Sequence, residues 1–186
     1  MSNLTYLLNV SLDGFIETTD HSLDWTAIDE ELHYWFNERT RGAAASIYGR
    51  RMYDLMTAYW PTAASDPDAT PAMLEYAEIW NAMPKIVFSR TLDSADHGFR
   101  VVRGDIGDEL ANLRKEFDGE IEVSGPNIAS QYIERGLVDE YCLVVHPVIL
   151  GAGTPFFPTI ATPIRLRQTA SKRFESGVLA LTYERA

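Results

Sequence analysis

The feature that most constrains this chain is a repeated change of hydrophobic period. Short, almost continuous apolar runs alternate with stretches in which apolar residues return every three or four positions, and small residues mark the joins. Leu4–Val10 is apolar almost throughout, as a strand buried on both faces must be. Asp29–Thr40 reads as a helix because Leu32, Trp35 and Phe36 share one face, with an acidic start (Asp29, Glu30, Glu31) and a basic end (Arg39, Arg41) that suit the helix dipole. The same reading predicts strands over Ala43–Tyr48, Lys85–Ser89, Phe99–Val102, Glu120–Val123 and Leu137–His146. It predicts helices over Arg50–Met56, Pro71–Ala82, Ile106–Phe117 and from about Asn127 to Arg135, with Pro61–Pro71 as a long surface loop. Arg165–Phe174 and Val178–Glu184 predict a closing hairpin around Ser176-Gly177. Alternation of this kind implies an α/β fold with a mainly parallel sheet covered by helices, and the final hairpin makes the sheet mixed.

Composition narrows what such a fold does. The 186 residues suit a single domain, and a 46% hydrophobic fraction supplies a core without metals or disulfides. A net charge of -11, from 27 acidic and 16 basic residues, repels phosphate backbones and argues against nucleic-acid binding. The single cysteine, Cys142, lies in an apolar run and reads as a buried thiol. No window approaches the roughly 18 apolar residues of a membrane span, and the start of the chain has neither a basic segment nor a long apolar one. The expected location is cytoplasmic.

Five segments carry chemistry-bearing residues at strand ends. Ser11-Leu12-Asp13-Gly14-Phe15-Ile16 follows the first strand, where ligands of open α/β sheets sit; Gly14 allows a tight turn, and Asp13 either orients that turn or meets a substrate. Tyr48-Gly49-Arg50-Arg51-Met52-Tyr53 places two arginines at a helix start, against the dipole preference, an oddity that a bound phosphate explains. Ser89-Arg90-Thr91 offers hydroxyls and a guanidinium after a strand, and Val123-Ser124-Gly125-Pro126-Asn127-Ile128 makes a small-residue turn into a helix. Pro147–Phe157, with Gly151, Gly153 and Pro155, reads as a structured loop that shapes a surface. His21, His33, His97 and His146 have no metal-ligand spacing, and neither a nucleophile elbow nor a P-loop occurs. His146, at a strand end, reads as a structural histidine.

Taken in order, these segments resemble the dihydrofolate-reductase-like family, in the branch related to the C-terminal reductase domain of the bifunctional riboflavin-biosynthesis protein. The resemblance rests on S-L-D-G-F-I, Y-G-R-R-M-Y, K-I-V-F-S-R, S-G-P-N, G-L-V-D-E-Y and P-V-I-L-G-A-G-T-P-F-F, and it covers nearly the whole chain. It implies a mixed, mostly parallel sheet flanked by helices, a single domain over residues 1–186, and an NADPH site. It further implies that Ser11, Asp13 and Gly14 lie against the nicotinamide and substrate, and that Gly49, Arg50 and Arg51 reach the 2'-phosphate and pyrophosphate. Ser89 and Arg90 would flank the adenosine end, and Ser124, Gly125, Asn127 and Ile128 would hold the pyrophosphate. Asp13 and Glu31 are the candidate catalytic residues, and Trp25 is a candidate substrate lid or a core residue. The implied activity is hydride transfer to a small heterocyclic substrate of pterin or pyrimidinone type; the alternative is a non-catalytic nucleotide-binding module or a dimeric scaffold that keeps the fold without the reaction. Homodimers are common in this branch, so a homodimer is expected. The chain departs from the family where a glycine-glycine turn, commonly with a cis peptide, is replaced by Ser124-Gly125-Pro126.

Overall fold

The computed structural model describes residues 2–186. Eight strands form one sheet: β1 (Leu4–Ser11), β3 (Ala43–Gly49), β4 (Lys85–Phe88), β5 (Phe99–Val102), β6 (Glu120–Ser124), β7 (Glu140–His146), β9 (Leu166–Arg173) and β10 (Leu179–Arg185). Two short strands, β2 (Phe15–Glu17) and β8 (Thr154–Pro155), pair separately as an antiparallel ribbon. The helices are α1 (Glu30–Gly42), α2 (Arg50–Tyr59), α3 (Pro71–Ala82), α4 (Ile106–Glu116) and α5 (Pro126–Glu134).

The strand order in the large sheet is β5-β4-β3-β6-β1-β7-β10-β9. Every pair from β5 to β7 is parallel, and β10 and β9 are antiparallel additions. The chain starts at β1, moves outward through β3, β4 and β5, returns to insert β6 between β3 and β1, and then crosses to β7. That reversal beside β1 creates the crevice in which open α/β sheets bind ligands.

Both faces of the central, parallel part of the sheet are covered, which is why those strands read as unbroken apolar runs. On one face Leu4, Tyr6, Val10, Ile121 and Val123 pack with Ile106, Leu110 and Leu113 of α4 and Ile128, Tyr132 and Ile133 of α5. On the other, α1 packs Leu32, Trp35 and Phe36 around Val144 and Phe174, and Tyr48, Tyr53, Trp80, Val87 and Phe99 form an aromatic cluster. Cys142 is fully buried, and burial pushes its thiol up to about 11.

Two expectations are corrected, and one feature was not expected. Pro61–Pro71 is not loop throughout, because a 3-10 turn occupies Trp60–Ser65; Pro61 fits a first helical turn, and Trp60 packs on Tyr76 with ring centroids 4.4 Å apart. The strand expected from Leu137 begins at Glu140, because Asp139 instead accepts a hydrogen bond from Leu4 N at 2.8 Å and pairs with Arg114. The β2–β8 ribbon was not anticipated at all; strands of three and two residues carry no periodicity.

Candidate functional site

A cavity of about 650 Å³ opens across the carboxyl ends of the parallel strands. Its lining comes from the ends of β1 (Leu8, Asn9), β3 (Gly49), β4 (Phe88) and β5 (Val102), and from the starts of α2, α4 and α5. Leu23, Thr26 and Ile28 close one side, and Ile16 and Glu17 of the ribbon close the mouth.

The helix starts differ in a way that bears on chemistry. Asp29 caps α1 by accepting from Leu32 N, Thr70 caps α3 by accepting from Met73 N, and Asp105 caps α4 by accepting from Gly107 N and Asp108 N. The starts of α2 and α5 have glycine at the cap, no capping side chain and no acidic residue in the first turn. A helix end whose N–H groups lack a side-chain acceptor is prepared for an external anion. Both of these starts face the cavity.

Of the two cap glycines, Gly125 is the one that is sterically required. Gly125 has φ of +109°, a region other residues avoid, and a Cβ on it would come within 3.2 Å of the Met52 Cβ. A Cβ on Gly49 would touch Ile128 at 3.4 Å. The two helix starts therefore nearly meet at one wall of the cavity. No cis peptide occurs among the described residues; the positive φ of Gly125 makes the bend at Ser124-Gly125-Pro126.

Of the residues expected from sequence, the cavity gathers Gly49, Arg50, Arg51, Ser89, Arg90, Gly125, Asn127 and Ile128. Arg50 Nε donates to both Asp54 oxygens at 3.0 Å while remaining half-exposed. Ser89 Oγ accepts from Thr91 N and Leu92 N at 3.3 and 3.1 Å, which curls the chain after β4 and leaves Arg90 exposed at the rim. Arg103, which the sequence reading passed over, also lines the wall and donates to Leu92 O.

Other expectations meet a different geometry. Arg51 donates through both terminal nitrogens to Glu17, at 2.8 and 2.5 Å, so its charge is already neutralised. Glu17 is buried, which by itself raises its pKa, but hydrogen bonds from Arg51, Thr154 and His21 outweigh burial and hold it at about 2. Asp13 does not line the cavity. Its carboxylate accepts from Leu150 N at 3.1 Å, Gly151 N at 2.7 Å and Ser11 Oγ at 2.7 Å, while Ser11 Oγ accepts from Phe15 N. Ser11, Asp13 and Gly14 thus lock the first loop to the Pro147–Phe157 loop and act at the site only through the ribbon these loops carry. Glu31 lies away from the cavity, paired to Lys172 at 3.2 Å and accepting from Glu175 N. Trp25 packs edge-on to His146 behind the wall, and Ser124 ends β6 just outside the lining. Asn9 and Glu17 escaped the sequence reading because each acquires its place through partners distant in the chain.

Comparison with known proteins agrees with this geometry. Residues 3–180 match the family model described as the RibD C-terminal domain. The chain is 33% identical over 180 residues to the Uncharacterized protein YyaP of Bacillus subtilis (strain 168), spanning 95% of this chain and 91% of that one. A structure from Shewanella sp. PV-4, ascribed by its name to riboflavin biosynthesis, superposes with a TM-score of 0.74 at 23% identity over 100% of this chain and 99% of that one. Dihydrofolate reductase from Enterococcus faecalis, complexed with NADP(H) and RAB-propyl, superposes with a TM-score of 0.66 at 16% identity over 98% of this chain and 96% of that one. At those identities the two structures speak for the fold alone. The family match over almost the full chain goes further: the protein belongs to the RibD C-terminal domain family, a reductase-type family, on a dihydrofolate-reductase-like fold.

Proposed function

We propose that the protein is an NADPH-dependent reductase that delivers hydride to a small heterocyclic substrate with a reducible C=N or C=O bond. The observation that carries this reading is the pair of uncapped helix starts, at Gly49 and Gly125, facing one cavity. A diphosphate would accept from the backbone N–H groups that these two starts leave without a capping side chain. The residues that would hold the dinucleotide are Gly49, Gly125, Asn127 and Ile128 at the diphosphate, Arg50 at the 2'-phosphate, and Ser89, Arg90 and Arg103 toward the adenosine end. When bound, the reduced nicotinamide supplies the hydride. The chain's own residues orient the reactants and exclude water. Leu8, Ile16, Ile28 and Phe88 form apolar walls, and the β2–β8 ribbon, held by Asp13 and Glu17, closes the mouth. The same reading makes the protein a cytoplasmic homodimer.

One observation favours the alternative, a nucleotide binder without chemistry. The carboxylates that line the cavity, Glu17 and Asp54, are both paired to arginines, so neither faces the cavity without a charged partner. Tryptophan quenching on titration with NADPH tests the binding that both readings require; absence of quenching sinks both. Loss of 340 nm absorbance on adding dihydropterin or pyrimidinone substrates supports the reductase, and saturable binding with no turnover on any of them supports the binder.

A further inference from the structure

His146 ends β7 at 1% exposure, and both of its ring nitrogens are engaged. Nδ1 lies 3.3 Å from the backbone N of Ala27, and Nε2 lies 2.9 Å from Oδ1 of Asn9. A backbone N–H can only donate. Nδ1 is therefore the acceptor, and the neutral ring carries its proton on Nε2. Burial agrees, pushing the pKa of His146 down. Trp25, edge-on with its centroid 5.4 Å away, fixes the plane of the ring.

The consequence passes to Asn9. An amide facing an N–H donor must present its oxygen, so the NH2 group of Asn9 is turned away from His146. Asn9 lines the cavity with Leu8, Thr26 and Ile28, and its Nδ2 has no acceptor among the described residues. A half-buried amide with one end fixed and the other unpartnered is an oriented donor, and such a donor rejects a ligand group that also donates.

We propose that Asn9 is the specificity-determining contact of this site. Its Nδ2 donates to a lone-pair acceptor on the substrate, a ring carbonyl or an unprotonated ring nitrogen, and His146 is the positioning residue that sets its polarity. This rests on the reductase reading and names the edge its substrate must present. Substrates with an exocyclic amine at that edge are excluded, because two donors would face each other.

The test uses the intact protein saturated with NADPH, with two probes of one size: uracil, which offers carbonyl acceptors, and 1,3-diaminobenzene, which offers amine donors and no ring-nitrogen acceptor. Failure of NADPH to bind at the outset overturns the reductase reading itself, and with it this inference. With NADPH bound, NMR titration is expected to show wild type preferring uracil by about tenfold, or ~1.4 kcal/mol. Asn9→Asp, which turns the donor into an acceptor, is expected to invert that preference. His146→Phe keeps the ring volume but frees the amide to flip, and is expected to erase the preference without inverting it. Nitrogen-15 shifts of His146 provide a readout that a purely structural role leaves open, with Nδ1 expected unprotonated and Nε2 protonated across neutral pH. An unchanged probe ratio in Asn9→Asp with NADPH still bound, no binding of either probe to wild type, or a proton on Nδ1 overturns the proposal.

Discussion

Arg50 and Arg51 are neighbours with the same side chain, yet the structure gives them different partners. Arg51 is clamped on buried Glu17, whereas Arg50 has only the solvent-exposed Asp54 and can turn to an anion at little cost. Arg50→Ala is therefore expected to weaken NADPH by about tenfold or more while leaving NADH nearly unchanged, as direct titration of both nucleotides will read. Equal losses would move the 2'-phosphate elsewhere, with Arg90 and Arg103 next in line. Glu122 is the opposite kind of residue, a carboxyl buried in the central sheet. It lies beside Thr5 and Ser46 in register, raised to about 7 first by burial and then by the charge of Glu120. An acid whose folded pKa is raised binds its proton more tightly in the folded state, so stability falls as pH climbs from about 4.5 to 7 and is level above. Glu122→Gln removes that loss, and chemical denaturation at pH 8 is expected to find the variant more stable by on the order of 2 kcal/mol, with no gain at pH 4.

Among elements, α2 and α5 resign a local source of stability that α1, α3 and α4 keep. Gly49 has an ordinary φ of -76°, and a Cβ there meets only an ordinary contact, so Gly49→Asp can supply the missing cap without strain. The melting temperature is expected to hold or rise, while NADPH affinity falls by about tenfold or more, because the new carboxylate occupies the anion's place. A fall in both would mean the glycine serves packing alone. Elements were the part of this fold most legible in the sequence. Pro71–Ala82 and Phe99–Val102 were read to the residue, and Asp29 was already marked at the start of α1, because period, caps and glycines are local signals. The site was legible where it lies at strand-to-helix joins, as at Gly49 and Gly125. It was illegible where its meaning is a pairing across the chain. Asp13 was read as a substrate contact because its partners, Leu150 and Gly151, are about 137 positions away. Glu31 sat in the right stretch of α1 but faces the final hairpin.

At the scale of the molecule, the final strand pair leaves the sheet unfinished. Every residue of β9 except Leu166 is exposed, so this edge is bare on both faces, and Leu12, Ile149 and Leu179 add exposed apolar surface elsewhere. A second copy is expected to cover such surface, and light scattering should find twice the 20.9 kDa chain mass at micromolar concentration. A mass of one chain removes the homodimer. The sheet also explains why the mouth of the cavity draws on segments so far apart: parallel neighbours must be joined by crossovers, which deliver β2, α2 and β8 to the same end. Glu17 is where they are tied together, gripped by Arg51 of α2, Thr154 of β8 and His21 of the intervening loop. Hydrogen bonds hold the pKa of that carboxylate down at about 2, so these ties are expected to persist at neutral and mildly acidic pH. One charged residue thereby fastens three segments that the sequence keeps far apart.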